Sequence, residues 1–202
     1  MRLLLVRHGR TPHNVARLLD TAHPGADLDE VGLEQAAGLV ERLARHDIDA
    51  IYVSDLVRTQ QTAGPLATAR RLTPLVRQGL REVQAGQHEM AADWSGYVSV
   101  LYGWRDDPLQ RMPGGETAVE VLDRVDEVLA EAADAAYRSI VVVTHGALIS
   151  VWTAARASNL TPDFLAGVSR DNTVVVELDG HPATGWRVLR WGDQVPPEAV
   201  GD

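Results

Sequence analysis

The chain has 202 residues, of which 45% are hydrophobic and 23% charged, a composition typical of one globular domain and not of a disordered or fibrous protein. The formal net charge of -9, with no basic run, argues against nucleic-acid binding, and no apolar run approaches the roughly 20 residues that cross a bilayer. The chain contains no cysteine, which excludes disulfides, thiolate catalysis and cysteine-bound metals.

The first part of the chain alternates predicted strands and helices. In chain order we predict strand 3–6, a helix within 14–19, helix 31–46, strand 50–53, helix 56–71 and strand 73–77. Asp29 is the predicted N-cap of the second helix, and Ser54 and Asp55 are predicted to cap the third. This alternation is typical of the crossover connections of a parallel sheet.

The second part of the chain begins with an insertion. Residues 83–112 are predicted to form a small cap, followed by helix 116–136, strand 139–144, helix 147–157 and strands 173–178 and 186–190. Four aromatic residues of the insertion either form an apolar lid over a site or a small satellite core under a long loop: Trp94, Tyr97, Tyr102 and Trp104. Residues 1–195 are predicted to be a single domain and 196–202 a flexible tail.

Two of the predicted strands end in the pair His-Gly. His8 and Gly9 follow the first strand, and His145 and Gly146 follow strand 139–144. Because the carboxyl ends of parallel strands meet at one edge of a sheet, we expect the two imidazoles to converge there. Gly9 would let the backbone come close to a bound anion.

Two arginines give these histidines a chemical context. A lone histidine at a strand end is more often structural, but Arg7 and Arg58 offer planar paired donors that match phosphoryl oxygens. The residues therefore predict an anion site, with His8 as the candidate nucleophile.

Five segments carry a family resemblance. Residues 7–14, Arg-His-Gly-Arg-Thr-Pro-His-Asn, resemble the Arg-His-Gly-x-Thr-x-x-Asn signature of the histidine phosphatase superfamily, the phosphoglycerate-mutase-like enzymes. The further segments that are similar to motifs of this family are 54–63, 80–82 with Gly86 and Glu89, 113–116 and 144–146. The five matches follow the family's order across residues 3–150, about three quarters of the chain.

The resemblance implies a fold and a reaction. The expected fold is a three-layer α/β/α sandwich with a mostly parallel central sheet and a small cap insertion. His8 would attack phosphorus and become a phosphohistidine, which splits the hydrolysis into two steps. Glu82 would protonate the leaving alkoxide and then take a proton from the incoming water.

The resemblance also implies how phosphate is held. Arg7, Arg58 and His145 would bind the phosphoryl oxygens, together with Asn14 and Gly146. No metal or cofactor is expected, because arginine and histidine supply the positive charge. The expected ligand is a small phosphomonoester, and the predicted location is the cytoplasm.

Some positions depart from the family pattern. His88 and Met90 flank Glu89, where family members often carry an aromatic residue and a glycine, so the cap side of the pocket is expected to be reshaped. Phosphoglycerate mutases of the family usually have a longer insertion and an aromatic residue in the first signature, whereas this chain has Thr11 and His13. The sequence therefore favours a phosphatase over a mutase and over a phosphate-binding protein without turnover. It leaves the substrate and a possible homodimer open.

Overall fold

The computed structural model describes residues 1–197, and a six-stranded sheet forms its centre. The strands are β1 (Arg2–Arg7), β2 (Ala50–Val53), β3 (Leu75–Val76), β4 (Ser139–Thr144), β5 (Val175–His181) and β6 (Gly185–Trp191). They lie in the order β3-β2-β4-β1-β5-β6, and the first four of these run parallel. β5 pairs antiparallel with β1, and β6 with β5. The predicted mostly parallel sheet is confirmed.

Helices cover both faces of this sheet. Within residues 1–197 they are α1 (Pro12–Val15), α2 (Glu30–Arg42), α3 (Val57–Arg70), α4 (Ser95–Gly103), α5 (Ala118–Asp134), α6 (Gly146–Arg156) and α7 (Pro162–Gly167). Successive strand residues point to opposite faces, so Leu4 packs in one apolar cluster with α2 and α3, and Leu5 packs in the other with α5 and α6. The three-layer α/β/α arrangement is therefore confirmed.

The helix boundaries need three corrections. The predicted helix within 14–19 is instead α1 at Pro12–Val15, because Thr11 caps it and Pro12 stands at its first position. Asp29 caps α2 as predicted, since its side chain accepts from Gly32 N, but α2 ends at Arg42 and not near His46. The predicted capping of α3 is wrong, because the N-cap position has no side-chain hydrogen bond. The Asp55 carboxylate instead pairs with Arg81, which is a stronger, charge-assisted partner than a backbone N–H.

Some elements were missed or fall outside the described part. β3 contains two residues of the predicted 73–77. The sequence analysis missed α7, although Thr161 at its N-cap and Pro162 at its first position are ordinary start signals. Of the predicted tail 196–202, residues 198–202 lie outside the described residues.

The aromatic residues of the insertion do not form one common cluster. Tyr97 and Trp104 are 3% and 6% exposed and belong to the hydrophobic core, with their polar atoms bonded to the carbonyls of Val83 and Gln110. Both interpretations are wrong for these two residues, because they pack in the same cluster as Leu5 and α5 and so extend the main core. Tyr102 is largely exposed on α4. Within residues 1–197, no helix is both long and apolar enough to span a membrane.

Candidate active site

The two predicted histidines meet at the carboxyl edge of the sheet. β1 and β4 are parallel neighbours whose register pairs Arg7 with Thr144, and each histidine is the next residue. The backbone N–H of His8 donates to the carbonyl of Thr144 at 2.9 Å, which extends the ladder by one bond. The ring centroids of His8 and His145 lie 5.2 Å apart with the planes tilted by 59°. Both side chains are buried.

A backbone carbonyl determines the tautomer of His8. Its Nδ1 lies 2.7 Å from the carbonyl oxygen of Gly9, and since an oxygen of this kind only accepts, Nδ1 carries the proton. The Nε2 lone pair of the neutral ring is then free. A free lone pair on a positioned imidazole is what nucleophilic attack requires.

The surroundings keep both rings neutral. Burial holds the pKa of His8 well below its usual value, and the positive charges of Arg58 and Arg7 lower it further. Burial also holds the pKa of His145 well below its usual value, with a second contribution from Arg58. His8 is therefore unprotonated at Nε2 at neutral pH. Its Nε2 lone pair is then available for nucleophilic attack.

Two buried neutral imidazoles make the stability depend on pH. Below about pH 6.5 the unfolded chain protonates these histidines while the folded chain does not, so the unfolded state binds more protons. The free energy of unfolding is expected to fall as the pH drops below about 6.5, by at most about 1.4 kcal/mol per pH unit for each histidine. Urea denaturation between about pH 5.5 and 7.5 measures this slope.

Two histidine variants distinguish the contribution of the buried histidines from the general destabilisation of a protein by acid. His8→Gln removes one titrating group and should reduce the slope, whereas His181→Gln replaces an exposed histidine at the opposite edge of the sheet and should leave it unchanged. Equal slopes in the wild-type protein and in His8→Gln would contradict the assignment of a buried neutral His8.

Unpartnered nitrogens surround His8. Of the four buried side-chain atoms without a hydrogen-bond partner within residues 1–197, three are nitrogens of this cluster: Arg7 Nε, Arg58 Nε and His145 Nδ1. Buried polar groups in folded proteins are otherwise hydrogen-bonded. Two guanidinium groups and an imidazole beside a free nucleophile suit a phosphoryl group, which presents three charged or partly charged oxygens.

Asp20 positions one of these guanidinium groups and was missed by the sequence analysis. Arg58 Nη2 donates to the Asp20 carbonyl at 2.8 Å, and Arg58 is 2% exposed. The Asp20 carboxylate accepts from the backbone N–H of Ala26 and lies 2.9 Å from Nδ1 of His13. Asp20 thus ties the loop between α1 and α2 to the anion site.

Asn172 is a second residue that the sequence analysis missed. Its Nδ2 donates to the carbonyl of His8 at 3.0 Å and to Oδ1 of Asn14 at 3.1 Å. Asn14 Oδ1 also accepts from Thr11 N, so the Asn14 amide turns its N–H₂ group away from these donors. The same segment before β5 holds Arg7, which donates to the carbonyl of Arg170.

The two glycines of the His-Gly pairs serve close packing. A Cβ on Gly9 would lie 2.7 Å from the carbonyl oxygen of Gly32, so Gly9 lets the loop after β1 pack against the start of α2. This contact gives a packing reason for Gly9, and the expectation that Gly9 lets the backbone come close to an anion stays a prediction. A Cβ on Gly146 would lie 3.2 Å from Arg7 Nε, so Gly146 leaves space for that guanidinium group.

The Glu82 carboxylate lies at the N-terminus of α6, which begins directly after His145 in the chain. Its Oε1 accepts from the backbone N–H groups of Val83 and Leu148 at 2.9 and 2.8 Å, and its Oε2 accepts from Ala147 N at 3.0 Å. Burial lowers the pKa of Arg7, and the negative charge of Glu82 opposes this lowering. Oε1 uses two acceptor positions and Oε2 one, which leaves Oε2 as the oxygen that can take a proton.

A cavity of about 310 Å³ opens beside Glu82. Its lining residues are Thr21, Ala22, His23, Arg81, Glu82, Gln84, Gly86, Glu89 and Gly114. The second motif carboxylate, Glu89, accepts from Thr21 and from the backbone N–H of Ala22 and thereby anchors the loop that begins at Asp20. Glu82 and Glu89 thus line the same cavity, but Glu82 contacts the N-terminus of α6 and Glu89 contacts the loop that begins at Asp20.

Comparisons with known proteins agree with this arrangement. PE_PGRS11, a PE-PGRS family protein of Mycobacterium tuberculosis, is 34% identical over 213 residues, and the match covers 95% of this chain but 36% of the relative. This chain thus spans about a third of that relative's length. Glucosyl-3-phosphoglycerate phosphatase of M. tuberculosis is 30% identical over 210 residues, which cover 94% of this chain and 91% of the relative.

A solved structure and a family model extend these matches. The structure of mycobacterial glucosyl-3-phosphoglycerate phosphatase in complex with VO3 matches with a TM-score of 0.79 and 29% identity, over 96% of this chain and 99% of that one. The model of the histidine phosphatase superfamily, branch 1, matches residues 3–194, which include both histidines and Glu82. The chain therefore belongs to the histidine phosphatase superfamily.

Proposed function

We propose that His8 is the nucleophile and Glu82 the general acid and base of a phosphatase that hydrolyses small phosphomonoesters. The phosphatase class follows from the family and from relatives named glucosyl-3-phosphoglycerate phosphatase and phosphoserine phosphatase. The roles of the residues rest on one observation, a neutral imidazole with a free Nε2 among buried nitrogens that have no protein partner.

The first step transfers the phosphoryl group to the protein. Nε2 of His8 attacks phosphorus, the P–O ester bond breaks, and a proton on Oε2 of Glu82 passes to the leaving oxygen. Arg7 and Arg58 stabilise the negative charge that spreads over the phosphoryl oxygens. The product of this step is a phosphohistidine and a free alcohol.

The second step releases phosphate. A water molecule attacks the phosphohistidine, Oε2 of Glu82 takes its proton, and the N–P bond breaks to return His8 to its neutral form. The same carboxyl group thus acts first as an acid and then as a base, which returns the protein to its starting protonation state.

The cavity beside Glu82 indicates the class of organic group. The alcohol part of the substrate lies next to the acid that protonates it, and therefore next to polar side chains such as Thr21 and Gln84. These polar side chains can hydrogen-bond a hydroxylated or charged organic group, and we expect the substrate to carry one. Relatives named for glucosyl-3-phosphoglycerate and phosphoserine act on substrates of this kind.

A substrate panel tests the proposal. The purified protein is incubated with glucosyl-3-phosphoglycerate, phosphoserine, 3-phosphoglycerate with its bisphosphate cofactor, and p-nitrophenyl phosphate, and both released phosphate and isomerised product are measured. We expect phosphate release, inhibited by vanadate, which mimics the transferred phosphoryl group. Isomerisation without release would identify a mutase, and no reaction with any ester would favour a phosphate-binding protein.

Two sequence predictions stay predictions, and one question stays open. The predictions are a single domain over 1–195 with its cap at 83–112 and a cytoplasmic location, and the open question is a possible homodimer. Limited proteolysis, cell fractionation and light scattering of the purified protein would test them in turn.

A further inference from the structure

His145 has a buried hydroxyl partner that lies outside the phosphate site. Its Nε2 is 2.8 Å from Oγ of Ser54, and both residues are fully buried. Ser54 Oγ also accepts from the backbone N–H of Leu56 at 3.3 Å and lies 3.0 Å from Oγ1 of Thr59. Oγ1 of Thr59 lies 2.8 Å from the Leu56 carbonyl oxygen and 2.9 Å from that of Ser54, so the Thr59 hydroxyl donates to a backbone carbonyl.

The hydroxyl network decides which nitrogen of His145 holds the proton. A neutral imidazole has one N–H, and the hydrogen bond at one ring nitrogen selects the tautomer. If Nε2 held the proton, Nδ1 would present a lone pair to phosphoryl oxygens and repel them. If Ser54 donates to Nε2, the proton is on Nδ1, the buried nitrogen without a partner within residues 1–197.

The geometry favours donation from Ser54 to Nε2. The hydroxyl of Ser54 has one proton and two neighbours that could accept it, Nε2 of His145 at 2.8 Å and Oγ1 of Thr59 at 3.0 Å. The Thr59 hydroxyl donates its own proton to a backbone carbonyl. Of the two possible acceptors for the Ser54 proton, the imidazole nitrogen is more basic than the Thr59 hydroxyl oxygen. The N–H of Leu56 occupies a lone pair of Ser54 and leaves the Ser54 hydroxyl proton to point elsewhere.

We propose that Ser54 is a positioning residue that donates to Nε2 of His145 and so keeps the proton of that ring on Nδ1, where it is available to a phosphoryl oxygen. The proposal rests on the proposed function, because it assigns His145 to phosphate binding. Ser54 does not touch the substrate and acts only through His145. This role also explains why Ser54 does not cap α3.

The tautomer can be measured without turnover. Long-range ¹H–¹⁵N correlation spectra of the ¹⁵N-labelled protein at neutral pH distinguish a protonated from an unprotonated ring nitrogen, and a His145→Gln variant assigns the signals of His145. We expect Nδ1–H and an unprotonated Nε2. An Nε2–H tautomer in the wild-type protein would overturn the proposal, whatever the variants do and whether or not any ester is hydrolysed.

Two variants test the link to phosphate binding. Ser54→Ala should shift His145 towards the Nε2–H form and raise the Kd for inorganic phosphate by about tenfold, the factor expected for one hydrogen bond of ordinary net strength. Thr153→Val removes another fully buried hydroxyl, whose Oγ1 has no partner within residues 1–197, and should change neither quantity. An unchanged tautomer and Kd in Ser54→Ala would refute the role of Ser54.

Discussion

Replacing His8 by alanine is expected to lower kcat for phosphomonoester hydrolysis by about 10⁴-fold or more, the effect of removing a covalent nucleophile. The carbonyl of Gly9 holds Nδ1 of His8 protonated, so Nε2 is the nitrogen that attacks, and alanine supplies no substitute. Arg7, Arg58 and His145 remain in this variant. It should therefore still bind inorganic phosphate while it turns over almost no ester.

The phosphoenzyme gives a direct measurement of this role. Rapid acid-free quenching after mixing with a labelled phosphomonoester should trap about one phosphoryl group per wild-type chain, with the acid lability of a phosphoramidate. His8→Ala should trap none. The control is His181→Ala, an exposed histidine at the far edge of the sheet. A phosphoramidate that still forms in His8→Ala would show that another residue is the nucleophile.

The part of the site that lies close to strand ends could be predicted from sequence. His8 and His145 each follow a strongly apolar strand, and parallel pairing of β1 with β4 brings the next residues together, so the convergence needed no knowledge of side-chain geometry. The layers were predictable for a related reason, since apolar periodicity reports which face of an element is buried.

The partners that orient these groups could not be predicted in the same way. Asn172 reaches Asn14 across 158 residues of sequence, and Ser54 reaches His145 across 91, so no local pattern marks either contact. Ser54 illustrates the difficulty. A serine before a helix is an ordinary capping signal, and only the tertiary structure shows that its hydroxyl faces His145 instead.

The local enrichment of aromatic residues in the insertion also did not show whether they form a lid over the site or part of the core. The four aromatic residues from 94 to 104 are close in sequence, but the helical turn of α4 places Tyr97 and Tyr102 on different sides. Tyr97 is buried and Tyr102 is 74% exposed, although they are five positions apart. Clustering along the chain therefore carried no information on which aromatic residue meets a substrate.

Glu82→Gln is expected to affect alkyl phosphates and p-nitrophenyl phosphate at different steps of the reaction. An alkyl phosphate needs a proton on its leaving oxygen, so loss of the acid should lower kcat by about 10²- to 10³-fold and leave no phosphohistidine to accumulate. p-Nitrophenolate leaves without a proton, so the first step should survive with this ester. The second step still lacks its base. The variant should release a burst of about one nitrophenolate per chain and then proceed slowly.

Stopped-flow absorbance with p-nitrophenyl phosphate measures the burst, and phosphate release from an alkyl phosphate measures the other rate. The glutamine oxygen can keep the bonds from Val83 and Leu148, but its N–H₂ group faces Ala147 N, so the Tm and the Kd for vanadate are measured alongside to separate misfolding from lost catalysis. Glu34→Gln, at an exposed position of α2, is the matched control. Equal losses on both esters without a burst would assign Glu82 to structure, because a carboxyl group that only holds the start of α6 cannot distinguish between leaving groups.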